Sequence, residues 1–330
     1  MSSIPRPKIA VTYRLPDIIE SRMRELFDVQ LRTEDGALTA RKLTTLVEDI
    51  DVLVPTVVDK IDAAVLAGAG KRLKLIANFG VGTEHIDLGA ARRRNILVSN
   101  TPGVLNEDTA DTAMALILWT PRRFAEGERA IREESWHGWT PNGMLGHRVN
   151  SKKLGIIGLG RIGMAVARRA RGFGMEIHYT NRGRLPFAAE VQAGGATYYA
   201  ELDAMLPLMD VISVNCPANP STHHLLNRRR LGLLQRHAYI VNTARGEIIE
   251  EDALVDALAE GRIAGAGLDV FEHEPAISPR LRALRNVVML PHMGSGTFEG
   301  RRAMGDKVIT NIRAWADGHR PPDQVLEGWV

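Results

Sequence analysis

Lys153-Leu154-Gly155-Ile156-Ile157-Gly158-Leu159-Gly160-Arg161-Ile162-Gly163 runs from an apolar stretch into a Gly-x-Gly-x-x-Gly turn, and an Ala- and Arg-rich helical segment follows. Strand, glycine turn and helix in that order form the setting in which a dinucleotide pyrophosphate is bound. Gly158 permits the tight turn, Gly160 lets the backbone approach the phosphates, and Gly163 allows close packing of helix on strand. The helix N-terminus offers unpaired N–H groups and a positive dipole end to the phosphate charge.

The rest of the chain reads outward from this motif as alternating strands and helices, the pattern of parallel sheets covered on both faces. Before it, strands are expected at 8–12, 29–31, 51–54, 73–78 and 96–100, with helices at 17–27, 40–47 and 63–67. Asn100-Thr101-Pro102-Gly103 is a breaker, and one long helix is expected from Glu107 to Glu126. Trp136 to Leu145 reads as a loop. From Leu154 a second series opens, with strands at 155–157, 176–179, 211–214, 238–242, 266–270 and 287–290. A helix at 254–260 stops at Gly261, and a last helix spans about 298–317.

A chain of 330 residues, 45% hydrophobic and 25% charged, has the composition of an ordinary globular protein of one or two domains. The formal charge of +3 suits an anionic ligand but is too diffuse for nucleic acid, and Arg92-Arg93-Arg94 and Arg228-Arg229-Arg230 read as solvated surface. With Cys216 as its one cysteine, the chain forms no intrachain disulfide and no cysteine-cluster metal site, so no metal is expected. Met1 to Val11 has no long apolar run, and no membrane is expected as a partner. A cytoplasmic setting is the default expectation.

The end of the second strand of the dinucleotide unit decides between NAD and NADP, an acid there binding the ribose hydroxyls and an Arg accommodating the 2′-phosphate. Here Glu176-Ile177-His178-Tyr179-Thr180 ends in Asn181-Arg182-Gly183-Arg184. Asn181 lies about 18 residues beyond Gly163, near the spacing of about 20 expected for the discriminating position. A guanidinium binds phosphate where a carboxylate would repel it, so Asn181, Arg182 and Arg184 point to NADP, with NAD as the alternative.

Three polar residues stand beyond the C-terminal ends of later expected strands: Arg245, Glu274 and His292. That edge of a doubly wound sheet faces the ligand. Together they suit hydride transfer to a 2-oxo acid. Arg245 clamps the carboxylate and polarises the carbonyl, His292 exchanges a proton with the carbonyl oxygen, and Glu274 stabilises the imidazolium.

At this point the chain resembles the D-isomer-specific 2-hydroxyacid dehydrogenase family. The resemblance is carried in order by Asn78-Phe79-Gly80-Val81-Gly82-Thr83-Glu84-His85-Ile86-Asp87, Asn100 to Leu105, Leu154 to Gly163, Asn215-Cys216-Pro217 with Thr222-His223, Val241 to Gly246, Gly267 to Pro275 and Pro291 to Ser295. It implies two Rossmann-like, doubly wound α/β domains with the active site in the cleft between them. Residues 1–100 and 293–330 would form a flavodoxin-like substrate domain, and 101–292 the dinucleotide-binding domain. It implies that Arg245, Glu274 and His292 are the catalytic residues and that the amides of Val81 and Gly82 join Arg245 on the substrate carboxylate.

Further implied cofactor contacts are Asp269 and the Thr243 carbonyl at the carboxamide, Arg161 and Ile162 at the pyrophosphate, and Cys216 and Pro217 at the adenosine. Thr109, Thr222, His292 and Gly294 complete that set, and the 104–145 region would serve a homodimer interface. Within the family, Tyr179 to Arg182 is most similar to NADPH-using glyoxylate/hydroxypyruvate reductases. Formate dehydrogenases pair their His with Gln, whereas Glu274 stands here. Val54-Pro55-Thr56-Val57 departs from the bulkier residues of some relatives, which leaves room for a larger 2-oxo acid. Two other readings are an NAD-dependent dehydrogenase of larger D-hydroxy acids and a cofactor-sensing, non-catalytic protein like the co-repressors on this fold.

Overall fold

The computed structural model describes residues 6–34 and 36–326; the first five residues of the stretch read for a leader and the last four of the expected substrate domain lie outside it. Among the described residues twelve strands form two sheets, and every pairing between two strands is parallel. The first sheet holds β1 (Lys8–Val11), β2 (Asp28–Gln30), β3 (Val52–Val54), β4 (Leu75–Ala77) and β5 (Leu97–Ser99) in the order β2-β1-β3-β4-β5. That is the flavodoxin-like order.

The second sheet holds β6 (Lys153–Ile157), β7 (Glu176–Thr180), β8 (Thr197–Tyr198), β9 (Val211–Val214), β10 (Tyr239–Asn242), β11 (Gly265–Leu268) and β12 (Val287–Met289). Its order, β12-β11-β10-β9-β6-β7-β8, reverses direction between β6 and β9, the crevice where such sheets bind ligands. Central strands β3, β4, β9 and β11 are buried at every position, which is why they read as continuous apolar runs rather than alternating ones. By its internal contacts the chain divides into two compact units, Met1–Leu105 with Thr297–Val330, and Asn106–Gly296.

The C-terminal helix, Phe298–Ala316, belongs to the first unit. Gly305 brings it against the Asp17–Leu26 helix so closely that a Cβ there would lie 2.4 Å from Ile19 Cγ1. Gln324 then bridges Ser99 beside β5. The expected continuous helix from Glu107 to Glu126 is a correction. The helix covers Asn106–Trp119 and stops, and a separate one covers Phe124–Arg132. Pro121 has no N–H to continue the ladder and restricts the residue before it, and Arg123 turns the chain with φ +55°. The two-residue strand β8 is too short to leave a periodic signal, and sequence reasoning missed it. Among the described residues no helix is long and apolar enough to cross a membrane.

Candidate active site

Because both sheets are wholly parallel, the residues that follow their strands gather at one edge of each. In the second unit that edge begins at the glycine turn after β6. Gly158 has φ +93°, and a Cβ on it would lie 2.7 Å from the Cys216 backbone nitrogen, so only glycine fits between β6 and β9. Gly163 approaches the Gly158 carbonyl, where a Cβ would sit at 2.3 Å. Gly160, the N-cap of the Arg161–Gly172 helix, has open space where its Cβ would be. A turn packed on one side and open at the helix N-terminus fits a pyrophosphate.

The residues expected at the ribose divide into three roles. Asn181 Oδ1 accepts the Leu159 N–H at 2.7 Å, so this side chain holds the glycine turn itself. Arg184 is paired with Glu190, Nε at 2.8 Å from Oε1 and an Nη at 3.0 Å from Oε2. Arg182 is exposed and has no hydrogen-bond or ion-pair partner among the described residues.

After β10, β11 and β12 stand the three residues expected to be catalytic. His292 Nδ1 lies 2.7 Å from Glu274 Oε2, and Glu274 Oε1 accepts the Phe271 N–H at 2.8 Å. Burial by itself pushes the Glu274 carboxyl up. The hydrogen bonds from His292 and Phe271, with the charges of His292 and Arg245, outweigh it and hold the group below the usual Glu range. An ionised carboxylate only accepts, so Nδ1 carries the proton toward Glu274 and Nε2 is the ring atom left to exchange a proton.

Arg245 sits in a turn folded by Asn242, whose Nδ2 donates to the Arg245 carbonyl at 2.9 Å and whose Oδ1 accepts the Ala244 N–H at 3.0 Å. Gly246 lets this turn pass the Phe271 backbone, where a Cβ would lie 1.9 Å from a carbonyl carbon. Sequence reasoning assigned no role to Asn242; a polar Asn closing the apolar run Tyr239-Ile240-Val241, three residues before Arg245, was the available signal.

Asp269 is 1% exposed, and its carboxylate accepts two backbone N–H groups, Met293 at 2.8 Å and Gly294 at 2.7 Å. Its carbonyl accepts the His292 N–H at 2.8 Å. His292 has φ +51°, a left-handed conformation that a non-glycine residue keeps only when its surroundings hold it there. The side chain expected at the carboxamide is thus committed to the loop that carries the histidine. Gly294 fits because a Cβ would lie 2.7 Å from Asp269 Oδ2, with Thr109 behind it.

Other expected cofactor residues line the same edge. Thr222 Oγ1 ties its loop by donating to the Pro217 carbonyl at 2.8 Å and accepting the Asn219 N–H at 2.9 Å. Burial raises the Cys216 thiol to about 11. The buried Thr243 Oγ1 and Asn215 Oδ1, after β10 and β9, have no protein partner, and such atoms suit a polar ligand at this edge.

The first unit carries its own polar turn after β4. Asn78 is fully buried and its Nδ2 donates to the carbonyls of Gly80 and Gly82, at 3.1 Å and 2.9 Å. Asn100 Nδ2 donates to the Val81 carbonyl at 2.8 Å. In a trans peptide the N–H points opposite to the carbonyl. Fixing the Gly80 and Val81 carbonyls therefore aims the Val81 and Gly82 N–H groups away from the two asparagines, and neither has a partner among the described residues. Adjacent free N–H groups of this kind accept an anion.

Residues 114–294 match the model of the D-isomer specific 2-hydroxyacid dehydrogenase NAD-binding domain. The chain belongs to that family. It is an NAD(P)-dependent oxidoreductase built on the family's two parallel-sheet α/β domains. It is 41% identical to a glyoxylate reductase of Thermococcus litoralis over 97% of both chains. The structure of a glyoxylate reductase from Paecilomyes thermophila is similar with a TM-score of 0.87 at 34% identity, covering 98% of this chain and 99% of the other. So is that of an NADPH-dependent glyoxylate/hydroxypyruvate reductase from Sinorhizobium meliloti in complex with NADP and malonate, with a TM-score of 0.87, 34% identity and 98% of each chain.

Asp269→Asn tests the clasp on the His292 loop. Asparagine keeps one acceptor oxygen and turns an N–H₂ toward the second backbone donor. We expect a loss of about 1–3 kcal/mol in urea unfolding and a fall in kcat of about tenfold or more as the histidine loses its position. A variant with unchanged kcat would show that the clasp does not set the histidine.

Proposed function

We propose that this chain reduces glyoxylate, and similar small 2-oxo acids such as hydroxypyruvate, to the D-2-hydroxy acid with NADPH. The observation that carries the proposal is the His292–Glu274 pair at 2.7 Å, with the second Glu274 oxygen fixed by Phe271. Reduction of a ketone or aldehyde needs a proton at oxygen as well as a hydride at carbon, and this pair is built to deliver one. Arg245 binds the substrate carboxylate and polarises the carbonyl, and the free amides of Val81 and Gly82 supply further donors to that carboxylate.

The unit with Asn106–Gly296 takes the dinucleotide and the other takes the substrate. Bound at the 158–163 turn, the cofactor supplies the hydride. Glu274 stays ionised and accepts the Nδ1–H hydrogen bond throughout, so His292 gives its proton from Nε2 to the carbonyl oxygen and is recharged from solvent. Names of relatives support the substrate class, and one similar structure holds NADP. Arg182, exposed and unpaired, supports NADP over NAD, because a guanidinium matches a 2′-phosphate that a carboxylate would repel. The exposed Trp136, Trp139 and Leu145 support a homodimer through the 104–145 region.

A steady-state panel of 2-oxo acids with both cofactors tests the proposal. NADPH oxidation should be fastest with glyoxylate or hydroxypyruvate, and His292→Ala should lower kcat by about 10²–10⁴-fold. Undiminished turnover in that variant would remove His292 from the chemistry. The acid limb of the kcat/KM profile should lie below the ordinary Glu range, because Glu274 stays ionised until pH falls through its lowered pKa. Glu274→Gln should abolish that limb. For the assembly, sedimentation should give a dimer that Trp139→Glu weakens; a monomeric wild type would contradict the interface.

A further inference from the structure

Arg184 follows the strand that ends at the ribose position, yet it does not stand free beside Arg182. Its partner Glu190 lies on the Phe187–Gln192 helix and has a side chain only 5% exposed, against 64% for Arg184. Arg184 Nε and one Nη meet the two carboxylate oxygens in a two-point pairing, the strongest geometry an arginine offers a carboxylate. The carboxylate is fixed from the other side. The hydroxyl of Tyr179, a residue with no exposed surface, donates to Oε1 at 2.7 Å and accepts the Leu185 N–H at 3.0 Å.

The hydrogen bonds from Arg184 and Tyr179 hold the Glu190 carboxyl below its usual range, so it is ionised at neutral pH. The pair is neutral, and the turn from Asn181 to Leu185 presents a single uncompensated cation, Arg182.

We infer that Glu190 is a specificity-determining residue for the cofactor: by pairing with Arg184 it withholds a second guanidinium from the 2′-phosphate and leaves that contact to Arg182. The inference rests on the NADPH reading above. It assigns opposite roles to two arginines that sequence alone places together. It also predicts an unusual direction of change, since removing a buried acid should strengthen the preference for NADPH.

The test is the ratio of NADH to NADPH dissociation constants, measured by cofactor fluorescence on the intact protein and its variants. Glu190→Gln keeps an oxygen to accept from Tyr179 and removes the charge that holds Arg184. The ratio should rise about threefold to tenfold, with NADH affinity unchanged. Glu190→Gln combined with Arg184→Gln should return the ratio to the wild-type value. Arg182→Ala should lower it about tenfold or more.

A Glu190→Gln ratio that stays level or falls while Arg182→Ala lowers it would overturn the role of Glu190 and leave the NADPH reading standing. A double variant that falls as far as Arg182→Ala would show Arg184 already on the phosphate and overturn the inference as well. If Arg182→Ala changes nothing, the NADPH reading fails and the inference with it. A merely structural Glu190 would weaken both cofactors together and leave the ratio where it was, which also counts against the proposal.

Discussion

The buried carboxylate of Asp269, shared between the backbone N–H groups of Met293 and Gly294, is the constraint on which the site depends. It closes the loop after β12 back onto the end of β11. His292 occupies a left-handed conformation inside that loop, a state that relaxes unless both flanks are held. Once the loop is fixed, Glu274 needs only its own backbone anchor on Phe271 to meet Nδ1. The order of construction therefore runs from a buried acid, to a strained backbone, to an imidazole positioned for the proton transfer proposed above.

The same economy recurs at the other strand ends. Asn242 folds the Arg245 turn, Asn181 braces the glycine turn, and Asn78 with Asn100 fixes the amides of Val81 and Gly82. In each case a carboxamide side chain satisfies backbone groups that a tight turn leaves unpaired. Arg184, like Asn181 and Asp269, stands where a ligand-binding group is expected and is engaged within the fold, in its case by Glu190.

Much of this was legible in the sequence. The glycine motif foretold the strand, turn and helix, because Gly163 is required by the Gly158 carbonyl five residues away, although the Cys216 backbone that requires Gly158 is distant in sequence. Arg245, Glu274 and His292 could be placed at strand ends because buried parallel strands leave unbroken apolar runs. The long helix was misread past Trp119, although Pro121 was the signal for its end. The work of Asp269 was not legible. Its partners are backbone groups some 24 residues away, and a backbone N–H has no letter in the sequence. The pairing of Arg184 was hidden for a related reason, since nothing in a string of residues says that Glu190 turns inward beneath it.

The central claim is that ionised Glu274 fixes the His292 proton on Nδ1 and leaves Nε2 to serve the carbonyl oxygen. Proton and nitrogen NMR of the histidine-labelled protein tests it most directly. The account predicts a downfield Nδ1–H resonance, coupled to His292 nitrogen, that persists at neutral pH and is lost in Glu274→Gln. A His292 ring protonated only at Nε2, or a resonance indifferent to Glu274, would contradict it.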